Sequence, residues 1–164
     1  MTPENVGHNK AKDALIKKLA HDFLNPTLLD EALHHSSMAG RSNERLEFLG
    51  DRVLGLVISE ALMTKYPEAD EGELAKRLGV LVSRHSCSEI AQQYNMAAPL
   101  ICDEHNENIM TSDNVMANLC EAIIAALYLD GGLKVASAFI LKAWTPMLDD
   151  MTNVPANPKS DLQE

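Results

Sequence analysis

Three acids stand in the run NERLEFLGD, residues 43–51: Glu44, Glu47 and Asp51, set among Leu46, Phe48 and Leu49. If the run is helical, at about 100° per residue, the spacing i, i+3, i+7 puts all three on one stripe. Like charges on a stripe repel, and the ordinary explanation is a solvated acidic face. The neighbours argue for more than that. Leu46, Phe48, Leu49, Val53 and Leu54 make the segment apolar around most of its circumference, so part of the stripe faces protein, and acids placed there need a cation. A hard divalent ion such as Mg²⁺ suits them, because it takes oxygen ligands, keeps waters and is commonly held by a few carboxylates plus substrate phosphate.

A second polar pair has complementary spacing. In NLCEAIIAALYLDGG, Asn118 and Glu121 lie three apart on one face, while Ile123, Ile124 and Leu127 supply core. Two apolar helices meeting there would set Glu47 and Asp51 against Asn118 and Glu121, a pocket of three carboxylates and one amide. Spacing alone leaves open the alternative that Asn118 and Glu121 cap or bridge inside the core.

The elements that must position these residues are helical. No segment alternates β-branched with polar residues, so the fold is expected to be all-α. The periodicity predicts a helix over 11–22 with Ala11, Leu15, Leu19 and Ala20 on one face, and a second opened by Asn25-Pro26 and running to about His35. A long central helix is expected over 43–65, stopped by Tyr66-Pro67, with shorter ones over 71–83 and 86–94. Asn114 to Leu129 should form the second apolar helix, ended by Asp130-Gly131-Gly132, and 133–148 the last. SSMAGRS, 36–42, and MAAPLICDEHNENIMTSD, 96–113, read as loops, the latter the place where mobility should concentrate. PANPKSDLQE, 155–164, reads as a linker.

Composition narrows the function classes. With 164 residues and 46% hydrophobic content the chain has enough material for one domain with a real core. A net charge of −10 offers no broad basic footprint, so contact with nucleic acid needs a local strip or bound ions. Arg41, Arg45, Arg52, Lys76, Arg77 and Arg84 are the candidates for that strip, and pairing with acids such as Glu71 and Glu73 is the competing role. Cys87, Cys102 and Cys120 form no C-x-x-C pair and are odd in number, which fits reduced, mostly buried thiols rather than a disulfide framework. The N-terminus lacks an apolar signal core and no later run approaches membrane-spanning length, so a soluble intracellular protein is expected. A carboxylate di-iron bundle needs two Glu-x-x-His pairs on separate helices, and this chain has one, Glu31 to His34. His34 and His35 are expected to be structural or to border the site.

The residues so assembled resemble the ribonuclease III family. NERLEFLGDRVLGLVI is similar to its signature stretch, ALHHSSMAG to the His-Ser segment before it, and EAIIAALYLDGG to its second acidic motif; the likeness runs from about Leu15 to Leu148. It implies an all-helical, homodimeric, cytoplasmic endonuclease domain acting on double-stranded RNA, in ribosomal-RNA precursor and mRNA processing. Mg²⁺ would serve each site, with Mn²⁺ able to substitute, and the products would carry 5′-phosphate and 3′-hydroxyl ends with 3′ overhangs. By position, Glu47 would be a metal ligand, Asp51 a catalytic carboxylate, and Glu121 both. Glu44, Arg45 and Arg52 would lie at the substrate or dimer edge, and Phe48 would pack into the partner subunit.

Two departures stand out. Asn118 occupies a metal-ligand position where the family pattern has aspartate, so a neutral amide replaces a charged oxygen and impaired cleavage is expected; a silent RNA-binding or dimerising scaffold is the alternative. Ala125 replaces a usual glycine, a packing adjustment. Residues 1–150 are expected to form the catalytic domain, and 151–164 a linker with PKSDLQE as the cut-off start of a double-stranded RNA-binding domain.

Overall fold

A computed structural model of the chain describes residues 3–40, 42–103 and 112–151. Six helices occur among them: α1 Pro3–Leu19, α2 Pro26–Ala32, α3 Glu44–Lys65, α4 Glu71–Leu81, α5 Arg84–Gln93 and α6 Asp113–Asp150. No strand is present among the described residues, only an isolated bridge between His34 and Ile101. The all-α expectation holds.

The architecture is set by α3 lying along α6. On α3, Leu46, Gly50, Val53, Leu54, Val57, Ile58 and Leu62 are buried, the i, i+3, i+4 recurrence of one helical face. Burying Leu54, Ile58 and Leu62 is worth roughly 1.5–3 kcal/mol each, and Ile58→Ala would remove about 2–5 kcal/mol. The opposite face is wet. Phe48, Leu56 and Met63 are 66%, 57% and 64% exposed, so α3 is central along its inner stripe only, contrary to the all-round burial that its composition suggested. The enclosed helix is the first arm of α6, where every residue from Ala122 to Leu127 is fully buried.

The expected helices over 114–129 and 133–148 are the two arms of α6, separated by a kink at Gly132, whose φ of 74° and ψ of −177° only glycine adopts at ease. Helical geometry runs through Asp130-Gly131 before the break. By length and composition α6 could cross a bilayer, which corrects the expectation that no run approaches that length, but its apolar side chains form the interior of this fold.

Local chemistry fixes the remaining ends. The side chains of Asn25, Asp70 and Ser83 accept the N–H groups of Thr27, Glu73 and Ser86 and so cap α2, α4 and α5. Helix α1 stops at Leu19 rather than at 22, because Ala20 turns to a φ of 54°. That turn delivers His21, Leu24 and Asn25 to Asp130: its carboxylate accepts from the N–H groups of Leu24 (2.9 Å) and Asn25 (2.8 Å) and lies 2.7 Å from His21 Nε2. Helix α2 ends at Ala32, short of His35, because the chain leaves it to pair His34 and His35 with Ile101. Buried Asn43 holds the start of α3 by donating to the Ala32 carbonyl. Trp144 is fully buried and its Nε1–H donates to the Leu81 carbonyl at 2.8 Å, tying the second arm of α6 to the end of α4. Cys87 and Cys120 are buried, Cys102 is partly so, and none of the three is in a disulfide among the described residues. Residues 104–111 of the loop expected to be mobile, and the linker at 155–164, lie outside the described residues.

Candidate active site

The crossing of α3 and α6 is unusually close at Gly50. A Cβ at that position would come within 1.8 Å of the Glu121 carbonyl oxygen, so only glycine lets the two backbones approach there. The approach brings the polar residues of both helices to a cleft of about 470 Å³ lined by Glu44, Glu47, Phe48, Asp51, Arg52, Arg84, Ala117, Asn118 and Glu121. All four members of the pocket expected from spacing therefore face one opening.

The electrostatics of the cleft are strained. Burial first, and then the Glu47 charge, push the Glu121 carboxyl up to about 7, while Arg84 and Arg52 pull the other way. Glu47 is also raised, first by burial and then by Glu44, with Arg84 again opposing. The Cys87 thiol stands 4.0 Å from Glu121 Oε1. Asp51 differs from these two. Its side chain is 40% exposed and pairs with the guanidinium of Arg52, which also stacks over the Phe48 ring at 4.9 Å. Among the described residues no three His, Cys, Asp or Glu side chains gather tightly enough to hold a metal ion, so the pocket exists as a lining and a facing glutamate pair rather than a closed cage.

Similarity to known proteins bears on this geometry. A family model described as Ribonuclease-III-like matches residues 25–148. The chain belongs to the ribonuclease III-like family. It is 38% identical over 168 residues to Ribonuclease 3 of Rhodopseudomonas palustris, covering 95% of this chain and 62% of that protein. Ribonuclease 3 of Brucella canis is 42% identical over 164 residues, with 97% and 67% covered. The chain thus spans about two thirds or less of these ribonuclease III relatives. Among solved structures, the nuclease domain of ribonuclease III from Campylobacter jejuni superposes with a TM-score of 0.77 at 32% identity over 86% of this chain and 98% of that one. That Campylobacter domain shows structural flexibility in a region involved in dimer formation. A Dicer from Pichia stipitis reaches a TM-score of 0.64 at 28% identity, covering 84% and 62%.

The basic strip expected for this ribonuclease III-like chain is only partly assembled. Arg52 and Arg84 line the glutamate cleft, whereas Arg45 lines a neighbouring cavity of about 1060 Å³ with Glu44, Phe48, Leu28, Leu49 and Leu129. Arg77 is drawn away: it stacks on Tyr66 at 4.5 Å and sits 3.9 Å from Glu73, the competing role foreseen for it. Lys76 is exposed, and Arg41 lies outside the described residues. Sequence reasoning did not single out Gly50 or the Cys87 contact, because both depend on how α3, α5 and α6 meet.

Proposed function

We propose that the chain is the nuclease domain of an endoribonuclease that hydrolyses double-stranded RNA, and the observation that carries this reading is the Glu47–Glu121 pair facing one cleft at the α3–α6 crossing. Two half-buried carboxylates, both with raised proton affinity, Glu121 through burial and the Glu47 charge and Glu47 through burial and the Glu44 charge, are short of positive charge. Such a donor set fits Mg²⁺, which keeps several waters and needs only one or two carboxylates beside substrate phosphate; Mn²⁺ would serve in its place. When bound, the ion supplies an activated water and charge relief at the phosphate.

The residues divide the work. Glu47 and Glu121 would hold the ion with Asn118 beside them, the Glu121 carboxyl, near 7 without an ion, giving up its proton as the ion binds, and Asp51 is the second catalytic carboxylate once Arg52 lets it go. Glu44, Arg45 and Arg52 lie at the substrate or dimer edge. Phe48, two-thirds exposed beside the apolar 1060 Å³ cavity, is the anchor of a homodimer. Products carry 5′-phosphate and 3′-hydroxyl ends with short 3′ overhangs. The catalytic domain occupies residues 1–150, and 151–164 lead toward an RNA-binding module. The setting is cytoplasmic maturation of ribosomal-RNA precursors and mRNA, with no membrane involved.

Asn118 weakens this site, because an amide contributes no charge to a divalent ion. The test is cleavage of a plain RNA duplex at low salt by this chain and by Asn118→Asp, in Mg²⁺ and then Mn²⁺. Asn118→Asp should cut faster by on the order of tenfold or more, since ligand charge tunes ion affinity. Equal rates would remove the emphasis on Asn118. Silence from both, in both ions, would favour a scaffold that binds RNA or dimerises without cutting.

A further inference from the structure

Arg84 is the first residue of α5, and its placement is costly for the helix. A cation in the first turn lies at the positive end of the helix dipole, and α5 has no acid in that turn to offset it. The backbone at this point is held firmly. Ser83 caps α5, Ser86 donates to the Val80 carbonyl at 2.8 Å, and Trp144 holds the Leu81 carbonyl. The guanidinium itself is exposed at the cleft and makes no ion pair with any carboxylate among the described residues, although four acids, Glu44, Glu47, Asp51 and Glu121, line the same opening. Arg52, the other cation there, is committed to Asp51 and to the Phe48 ring. An arginine on a firm backbone at a dipole-disfavoured site, in direct ion-pair contact with no carboxylate among the described residues, is left with its longer-range pull on Glu47 and Glu121 and its reach into the cleft. A planar guanidinium is suited to two-pronged contact with phosphate oxygens.

We propose that Arg84 is an exchangeable counter-ion and phosphate anchor: its charge offsets Glu47 and Glu121 while the cleft holds no divalent ion, and it binds a phosphate of the RNA backbone when substrate enters. The opposing influence of Arg84 on both glutamates fits the first half. The proposal rests on the ribonuclease reading and assigns that site a residue with two opposite duties.

The opposite duties make the test sharp. In the full chain, Arg84→Gln should bind Mn²⁺ several-fold more tightly by calorimetry, because a competing cation has gone. The same variant should bind a plain RNA duplex on the order of tenfold more weakly by fluorescence anisotropy, with the slope of log affinity against log salt reduced by about one. Arg84→Lys keeps the charge and loses the fork, so its Mn²⁺ affinity should match the parent while its RNA affinity falls. Unchanged or weaker Mn²⁺ binding in Arg84→Gln overturns the counter-ion role, and unchanged RNA affinity overturns the anchor. A parent chain that binds no duplex RNA overturns the ribonuclease reading together with the anchor, a result distinct from a parent that binds and a variant that binds equally.

Discussion

Gly50 on α3 and Glu121 on α6 are in backbone contact, with no room between them for a single methyl group. The helix pair that carries the carboxylates is therefore held at its separation by an absent side chain.

Gly50→Ala should push α3 and α6 apart and destabilise the domain by about 2–3 kcal/mol or more, the scale of overpacking against an unyielding backbone. Gly55→Ala is the matched control on the same helix. Nothing lies within 4 Å of a Cβ at Gly55, so alanine there should stabilise by about 0.5–1 kcal/mol through helix propensity. Thermal unfolding of both variants checks the pair, and equal effects of the two would contradict the close crossing.

The Glu121 carboxyl predicts a pH dependence of stability. Its folded value of about 7 lies above the ordinary 4.5, so between those pH values the folded chain holds a proton that the unfolded chain has released. Stability from this group is complete below 4.5 and falls as pH rises to about 7. Urea unfolding without divalent ions should show the parent losing ground to Glu121→Gln across that window; a flat difference would refute the shift.

Asp130 predicts the reverse sign. Burial alone would raise its carboxyl, but the N–H groups of Asn25 and Leu24 and the side chain of His21 together hold it below the usual range. Its stabilisation is present above pH 3.8 and lost as pH falls through the lower folded value. Asp130→Asn should lose about 1–3 kcal/mol at neutral pH, since charged acceptors make the stronger hydrogen bonds. Chemical denaturation of the variant at pH 7 and pH 3 would show the deficit shrinking with acid.

Phe48→Ala should weaken self-association by about 2 kcal/mol, roughly 30-fold, if the exposed ring is an interface anchor. Sedimentation equilibrium measures it, and an unchanged association constant would place the interface elsewhere.

The parts of this molecule legible in sequence are those governed by neighbours along the chain. Asn25-Pro26 opens α2, Tyr66-Pro67 closes α3, and the i, i+3, i+7 stripe carries its acids to one cleft. What escaped is decided between distant segments. Helix α2 ends early because Ile101 captures the following backbone, and α1 ends early because Asp130 captures the next turn. The commitment of Asp51 to Arg52 is equally illegible, since a helical stripe gives directions but not which charge a neighbouring guanidinium will choose.

Trp144 is the chain's single tryptophan, and its ring nitrogen is bonded to the residue three positions before Arg84. The molecule therefore carries a native optical gauge beside its cleft. The emission of that indole should shift to longer wavelength when the α4–α5 junction detaches, even while the bulk of the helical signal persists. Far-ultraviolet circular dichroism and tryptophan fluorescence recorded on one sample would then separate loosening at the mouth of the cleft from collapse of the whole domain.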